Sequence, residues 1–154
     1  AIDSQAVEWS ELVADAWALV RTPGYELAVV GDAAGPLAGD ATLLGMALRN
    51  MLANAIAHGR PGTITVAYAA QDDGVTLRVT NPSDASPGDW SVALEPYWRA
   101  SAERQDSHRH SGLGLAVVQG IVAAHGGQVR VQVDTDGNFT VAISVPGDGA
   151  LGEQ

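Results

Sequence analysis

Asn50, Asn54 and His58 are spaced by four residues, so on a helix they form a single polar line. Asparagine is a poor helix-interior residue, and two of them beside an apolar stripe need a reason. Their amide oxygens suit a hard cation such as Mg²⁺, which commonly comes already bound to phosphates; two solvated amides on an exposed face are the other reading. Further along, Ser111-Gly112-Leu113-Gly114-Leu115 opens a helical pattern, where free N–H groups and the helix dipole favour a phosphate. Glycine in that place is also ordinary loop punctuation. Arg99, Arg104 and Arg109 recur at five-residue spacing just upstream, either to offset a polyphosphate or as solvated loop cations. His108 and His110 have no cysteine and no clear third ligand beside them, a poor metal site. His125 ends a helical pattern, where a positive charge would complement the dipole.

These residues need elements to position them. Leu12, Val13, Ala16, Leu19 and Val20 recur at helical spacing from Trp9 to Val20, and Pro23-Gly24 stop the pattern. Glu26 to Val30 reads as a short strand and Gly31 to Gly39 as a loop. Asp40 stands at an N-cap position before a long helix with Leu44, Ala47, Leu48, Met51, Leu52 and Ala55 on one stripe, ending near Gly59. Thr63 to Ala70 and Val75 to Asn81 read as strands joined at Asp72-Asp73-Gly74. From Pro82 to Ser111 the periodicity fails, as in a functional lid. A third helix runs from Gly112 to His125 and stops at Gly126-Gly127. Gln128 to Val133 and Phe139 to Val145 form a last hairpin, and the tail after Pro146 reads as frayed. Helices on one face of a mixed sheet are expected.

The chain has 154 residues, 46% of them apolar, enough for one domain with a buried core. Eight cations, all arginine, stand against 18 acidic residues, a formal charge of -10, which argues against duplex nucleic acid or an anionic membrane surface as the main partner. No apolar run approaches the ~18 residues that span a bilayer. With no cysteine, disulfides, thiolate metal sites and cysteine nucleophiles are excluded.

Taken together and in order, these segments resemble the catalytic and ATP-binding domain of sensor histidine kinases, in the GHKL superfamily. Leu48 to His58 is similar to the N box, Leu94-Glu95-Pro96-Tyr97-Trp98-Arg99 to the aromatic F box, and Gly112 to Val118 with His125-Gly126-Gly127 to the second glycine box and its helix end. The resemblance implies a single domain over 1–154 with the Bergerat-type fold, a two-layer α/β sandwich. ATP would lie between the second and third helices under a lid at about 82–110. It also implies that Asn54 is the Mg²⁺ ligand and Asn50 its companion, and that His58 lines the phosphate side. Tyr97, Arg99 and Arg104 would meet the nucleotide from the lid, and Ser111, Gly112, Leu113, Gly114 and Leu115 would receive the phosphate tail.

Four departures from the family pattern stand out. Asn81-Pro82-Ser83-Asp84-Ala85 replaces the first glycine box, Asp-x-Gly-x-Gly, so Asn81 takes the place of the adenine-binding Asp. One carboxamide there is expected to accept from adenine's amino group and donate to its ring nitrogen. Ala57 stands where many members carry Lys or Arg, and His110 replaces a glycine. No histidine has the phosphoacceptor context of a neighbouring acidic residue and a nearby proline, so the chain reads as the catalytic part that begins after the dimerisation domain. The implied function is transfer of the γ-phosphate of Mg-ATP to a histidine on that separate dimerisation/phosphoacceptor domain, ahead of a response regulator receiver domain. The expected place is the cytoplasmic part of a membrane-anchored kinase, with no nucleic acid and no direct membrane contact. Relatives that hydrolyse ATP carry a Glu at the position of Asn50, and a neutral amide is no general base. A nucleotide-sensing module without phosphotransfer is the alternative.

Overall fold

The computed structural model describes residues 5–31, 37–71, 74–94 and 114–146. The elements run β1 (Gln5–Val7), α1 (Trp9–Val20), β2 (Tyr25–Gly31), β3 (Leu37–Gly39), α2 (Ala41–His58), β4 (Gly62–Gln71), β5 (Gly74–Pro82), β6 (Gly88–Asp89), a 3₁₀ turn (Ser91–Leu94), α3 (Gly114–Ala124), β7 (Gln128–Val133) and β8 (Asn138–Pro146). Six strands form one mixed sheet in the order β2-β4-β5-β8-β7-β6. β2 and β4 are parallel, joined by a crossover that contains α2, and the other pairs are antiparallel. β1 and β3 form a separate antiparallel ribbon.

Strand alternation decides which face is buried. Val75, Leu77 and Val79 of β5, Val141, Ile143 and Val145 of β8, and Ile64 and Val66 of β4 all lie in the core, as the period of two requires. The stripe expected on α2 is the stripe that is buried: Leu44, Ala47, Leu48, Met51, Leu52 and Ala55. α2 packs against both α1 and α3, and α3 adds Leu115, Val118, Ile121 and Val122. Full burial of each large aliphatic side chain contributes about 1.5–3 kcal/mol. The result is a two-layer α/β sandwich with its apolar seam between helices and sheet.

Both ends of α2 are fastened by long-range bonds. At the start, Asp40 accepts from the Leu43 N–H through its carboxylate at 3.1 Å, the expected N-cap. His125 reaches the same place from α3: its Nε2 accepts from the Asp40 N–H at 3.0 Å, and its Nδ1 lies 2.8 Å from the Ile121 carbonyl. Nε2 acts as acceptor, so the proton sits on Nδ1 and donates to Ile121. The expectation of a charged helix cap is thereby corrected. His125 is wholly buried and is a neutral clamp between the two helices.

Two other expectations change. Within the stretch read as a loop from Gly31 to Gly39, Leu37–Gly39 is a strand that pairs with β1. The stretch read as a lid from Pro82 is built into the body as far as Leu94. Pro82 closes β5, β6 pairs with β7, and Ala93 and Leu94 are buried. Trp90 donates its indole N–H to the Ser86 carbonyl at 2.7 Å and packs against Phe139 with ring centroids 6.2 Å apart. Asp89 accepts from the Ser91 hydroxyl and N–H, which holds its carboxyl below the usual range. Burial of Trp90, Ala93 and Leu94 over β7 and β8 overrides the weak local propensity of a segment rich in Pro, Gly and Ser.

Candidate functional site

α2 carries the Asn50, Asn54 and His58 line as expected, along one helix from Ala41 to His58. Asn50 donates from Nδ2 to the Met46 carbonyl one turn back, at 3.0 Å. Its Oδ1 is left on the side of α3: a Cβ added to Gly114 would lie 3.7 Å from that oxygen. Gly114 is the first residue of α3, so the amide line of α2 and the N-terminus of α3 meet, although 64 residues separate Asn50 from Gly114. The side chain of Leu115 is core. What Leu115 can offer a ligand is its main-chain N–H, one of the first four of a helix, which lack intrahelical partners.

Asn54 sits half-buried one turn further along α2, and its Nδ2 is buried with no partner. An unpaired buried amide costs about 1–3 kcal/mol, and no hydrogen-bond partner among the described residues offsets that cost here. The amide oxygens of Asn50 and Asn54 are the hard donors in this place. Among the described residues no group of three or more His, Cys, Asp or Glu could hold a metal. A Mg²⁺ ion here would be held by amide oxygen and by the oxygens of its own ligand, which fits how Mg²⁺ accompanies phosphates.

The far end of α2 meets the end of β5. Asn81 continues the inward parity of Val75, Leu77 and Val79, so its side chain points under the helices and is 2% exposed. Its Nδ2 donates to the Ala55 carbonyl at 3.0 Å and to the Pro82 carbonyl at 3.2 Å. Both amide hydrogens are spent, which corrects the expectation that Asn81 donates to a ring nitrogen. Its Oδ1 is buried and has no partner. The group therefore offers an acceptor alone, as a carboxylate would, without a negative charge beside two carbonyl oxygens.

Sequence reasoning missed the residues that make room for this amide. In the sequence Gly59 reads as a helix stop, yet a Cβ there would overlap the Asn81 amide and sit 2.6 Å from the Ala55 oxygen. Ser83 forms a bridge with Gly59, donates its N–H to the Gly137 carbonyl at 2.9 Å, and accepts from the Ala85 N–H. Tyr25 of β2 donates its hydroxyl to the Ile56 carbonyl at 3.1 Å. The only signal in the sequence was the Gly directly after the polar line. Tyr97, Arg99, Arg104, Ser111, Gly112 and Leu113 lie outside the described residues.

Comparison with known proteins identifies the family and the fold. Residues 39–149 match the family described as "Histidine kinase-, DNA gyrase B-, and HSP90-like ATPase". The sensor histidine kinase CusS of Escherichia coli K12 is 38% identical over 131 residues, which cover 84% of this chain and 27% of that protein. The sensor protein CzcS of Cupriavidus metallidurans is 32% identical over 124 residues, 79% of this chain and 26% of its own length. The chain thus spans about a quarter of the curated relatives it matches. Among solved structures, the mycobacterial sensor histidine kinase MprB superposes with a TM-score of 0.78 at 26% identity, covering 94% of this chain and 98% of that one. A second, ShkA in complex with AMPPNP, has a TM-score of 0.80 at 21% identity, covering 96% of this chain and 32% of that one, and so speaks for the fold. The fold is the two-layer α/β sandwich of the GHKL superfamily, and the chain belongs to the histidine kinase-, DNA gyrase B- and HSP90-like ATPase family as a catalytic and ATP-binding domain of the sensor histidine kinase type.

Proposed function

We propose that this domain binds Mg-ATP between α2 and α3 and delivers the γ-phosphoryl group to a histidine on a separate dimerisation/phosphoacceptor domain, as one step of two-component signalling. The observation that carries the reading is the buried, unpartnered Oδ1 of Asn81 near the end of α2, with the Asn50 amide facing the start of α3 from the middle of the same helix. The first accepts from the amino group of adenine. The second lies where phosphates meet free helix N–H groups.

Asn54, with Asn50 beside it, would hold Mg²⁺, which supplies charge neutralisation on the phosphates. Arg99 and Arg104 would add cationic donors to the phosphates, Tyr97 would meet the nucleotide from the lid, and His58 would line the phosphate side. The backbone from Ser111 to Leu115 would receive the phosphate tail. In phosphoryl transfer the protein supplies mostly positioning and electrostatic stabilisation. The phosphorus–oxygen bond to the β-phosphate breaks, a phosphorus–nitrogen bond to the acceptor imidazole forms, and ADP leaves. Asn50 has no basicity with which to activate water, which favours transfer over hydrolysis. The receiving domain, a response regulator receiver domain downstream and a place on the cytoplasmic side of a membrane-anchored kinase follow from the same reading.

The test is to mix the domain with a purified dimerisation domain and γ-labelled ATP. Label on the histidine of that domain is expected. Firm ATP binding with no label would replace transfer with the nucleotide-sensing reading, and a flat calorimetric titration with Mg-ATP would overturn both.

A further inference from the structure

The sheet face turned away from the helices carries a basic notch in an acidic protein. Arg78 of β5 and Arg130 of β7 are both in register with Ala142 of β8, one on each side. Adjacent strands lie about 4.8 Å apart, so the two arginines stand roughly 10 Å apart at the backbone, with only a methyl group between them. Both are exposed, and among the described residues neither has an ion pair or a hydrogen bond.

The neighbouring rows are polar and uncharged. Thr76 and Gln128 flank Ser144 on one side of the arginine row. On the other, Thr140 lies between Thr80, with which it shares a hydroxyl bond of 3.0 Å, and Gln132. Within β5, β8 and β7 these three rows hold no carboxylate, although the chain has 18 acidic residues and 8 arginines. The nearest in register, Asp89 beside Gln132, is turned to the Ser91 N–H and hydroxyl. The surface is hollowed over Ala142 into a cavity of about 290 Å³ bounded by these side chains.

An exposed polar sheet face is ordinary in an antiparallel sheet. Two unpaired guanidinium groups around a small residue, ringed by hydroxyl and amide donors and with no carboxylate among the described residues that line the hollow, are a more specific arrangement. Each guanidinium offers a planar fork that matches an oxyanion, and the hollow is near the small end of ligand sites. We propose that this notch binds a small multivalent oxyanion of the polyphosphate class, bridged by Arg78 and Arg130 above Ala142. It lies on the opposite face of the sheet from α2 and α3, so it is a second site, independent of nucleotide binding between the helices.

Inorganic pyrophosphate is the probe, titrated into the metal-free chain at low ionic strength while backbone amide shifts are followed by NMR. Saturable shifts at Arg78, Arg130, Thr140 and Ala142 are expected, with affinity reduced about tenfold in Arg78→Gln and again in Arg130→Gln, since each removes one charged fork. Ala142→Leu keeps both charges and fills the notch, and should weaken binding as well, while all three variants bind Mg-ATP as the parent does. Shifts confined to Asn54, Gly114 and their neighbours would place the anion in the nucleotide site and overturn the proposal. So would equal affinities for the parent and both arginine variants, shifts reproduced by chloride at matched ionic strength, or a response to a glutamate-rich peptide without one to pyrophosphate.

Discussion

The Asn81 amide donates to the Ala55 carbonyl at 3.0 Å, a bond that ties the end of β5 to the last turns of α2. Because the second hydrogen goes to Pro82, the orientation of the amide is fixed, with its nitrogen against Gly59 and its oxygen buried without a partner. A residue that departs from the family's carboxylate therefore keeps the acceptor and gains two internal bonds.

This fixes what Asn81 variants should do. In the proposed site adenine would present an amino donor to Oδ1, whereas guanine would present an oxygen at the same place, so the parent should prefer ATP over GTP. Mispairing a buried polar group costs about 1–3 kcal/mol, one to two decades of affinity. Asn81→Ala should lose most of that discrimination. Asn81→Asp should keep it but unfold earlier in urea, because a carboxylate cannot donate to Ala55 and Pro82. Gly59→Ala should resemble Asn81→Ala in binding, since its Cβ displaces the same amide. Calorimetry with both nucleotides decides, and equal ATP and GTP affinities in the parent would remove Asn81 from the site.

Asn54 gives a separate test of the metal. It lies beside the core stripe of α2 rather than within it, and its Nδ2 has no partner to lose. Asn54→Ala should therefore leave the unfolding midpoint unchanged or slightly raised while Mg-dependent nucleotide affinity falls by about tenfold or more, a loss of roughly 1.4 kcal/mol or more. Affinity measured in EDTA should differ little between parent and variant. A variant that binds Mg-ATP as the parent does would take the metal away from Asn54.

The helices and the central hairpins were legible because their signals are local. Six apolar residues on α2 repeat at helical spacing, Asp40 is a cap, and Asp72-Asp73-Gly74 is a turn signal in the sequence. β1 and β3 were not legible: three residues each, with Ala and Gly among them, carry no period, and their pairing joins positions thirty or more residues apart. Trp90 looked like lid because its partner, Phe139, is distant in sequence. Likewise, Asn50, Asn54 and Gly114 could be named as chemistry-bearing types. What Asn81 spends its amide hydrogens on depends on the Ala55 carbonyl, and no spacing rule reports a backbone carbonyl across a layer.

Asp134 makes the last hairpin sensitive to acid. Its carboxylate accepts first from the Asn138 N–H and also from the Asn138 amide and the Asp136 N–H, which holds its pKa below the usual 3.8. A carboxyl lowered on folding stabilises fully above its unfolded value, and that contribution fades as pH falls through the folded one. Asp134→Ala should lower the melting temperature at pH 7, and the gap to the parent should shrink below about pH 3.8. A gap independent of pH would assign the effect to turn propensity alone.

His125 separates a packing role from a hydrogen-bonding one. Its ring is wholly enclosed and spends both nitrogens, one on the Asp40 N–H and one on the Ile121 carbonyl. His125→Ala opens a cavity and orphans both groups, and should cost about 3 kcal/mol or more in urea unfolding. His125→Phe fills the space but leaves the same groups unpaired, so it should recover only part of that loss. Hydrogen exchange at Asp40 and Leu43 should accelerate in both variants, because the start of α2 loses its tie to α3, while amides around Asn81 exchange as in the parent. Full recovery of stability and protection in His125→Phe would make the histidine a filler. Burial also predicts that incubation with ATP alone puts no phosphate on His125, since neither ring nitrogen can reach a phosphorus atom without unfolding the end of α3.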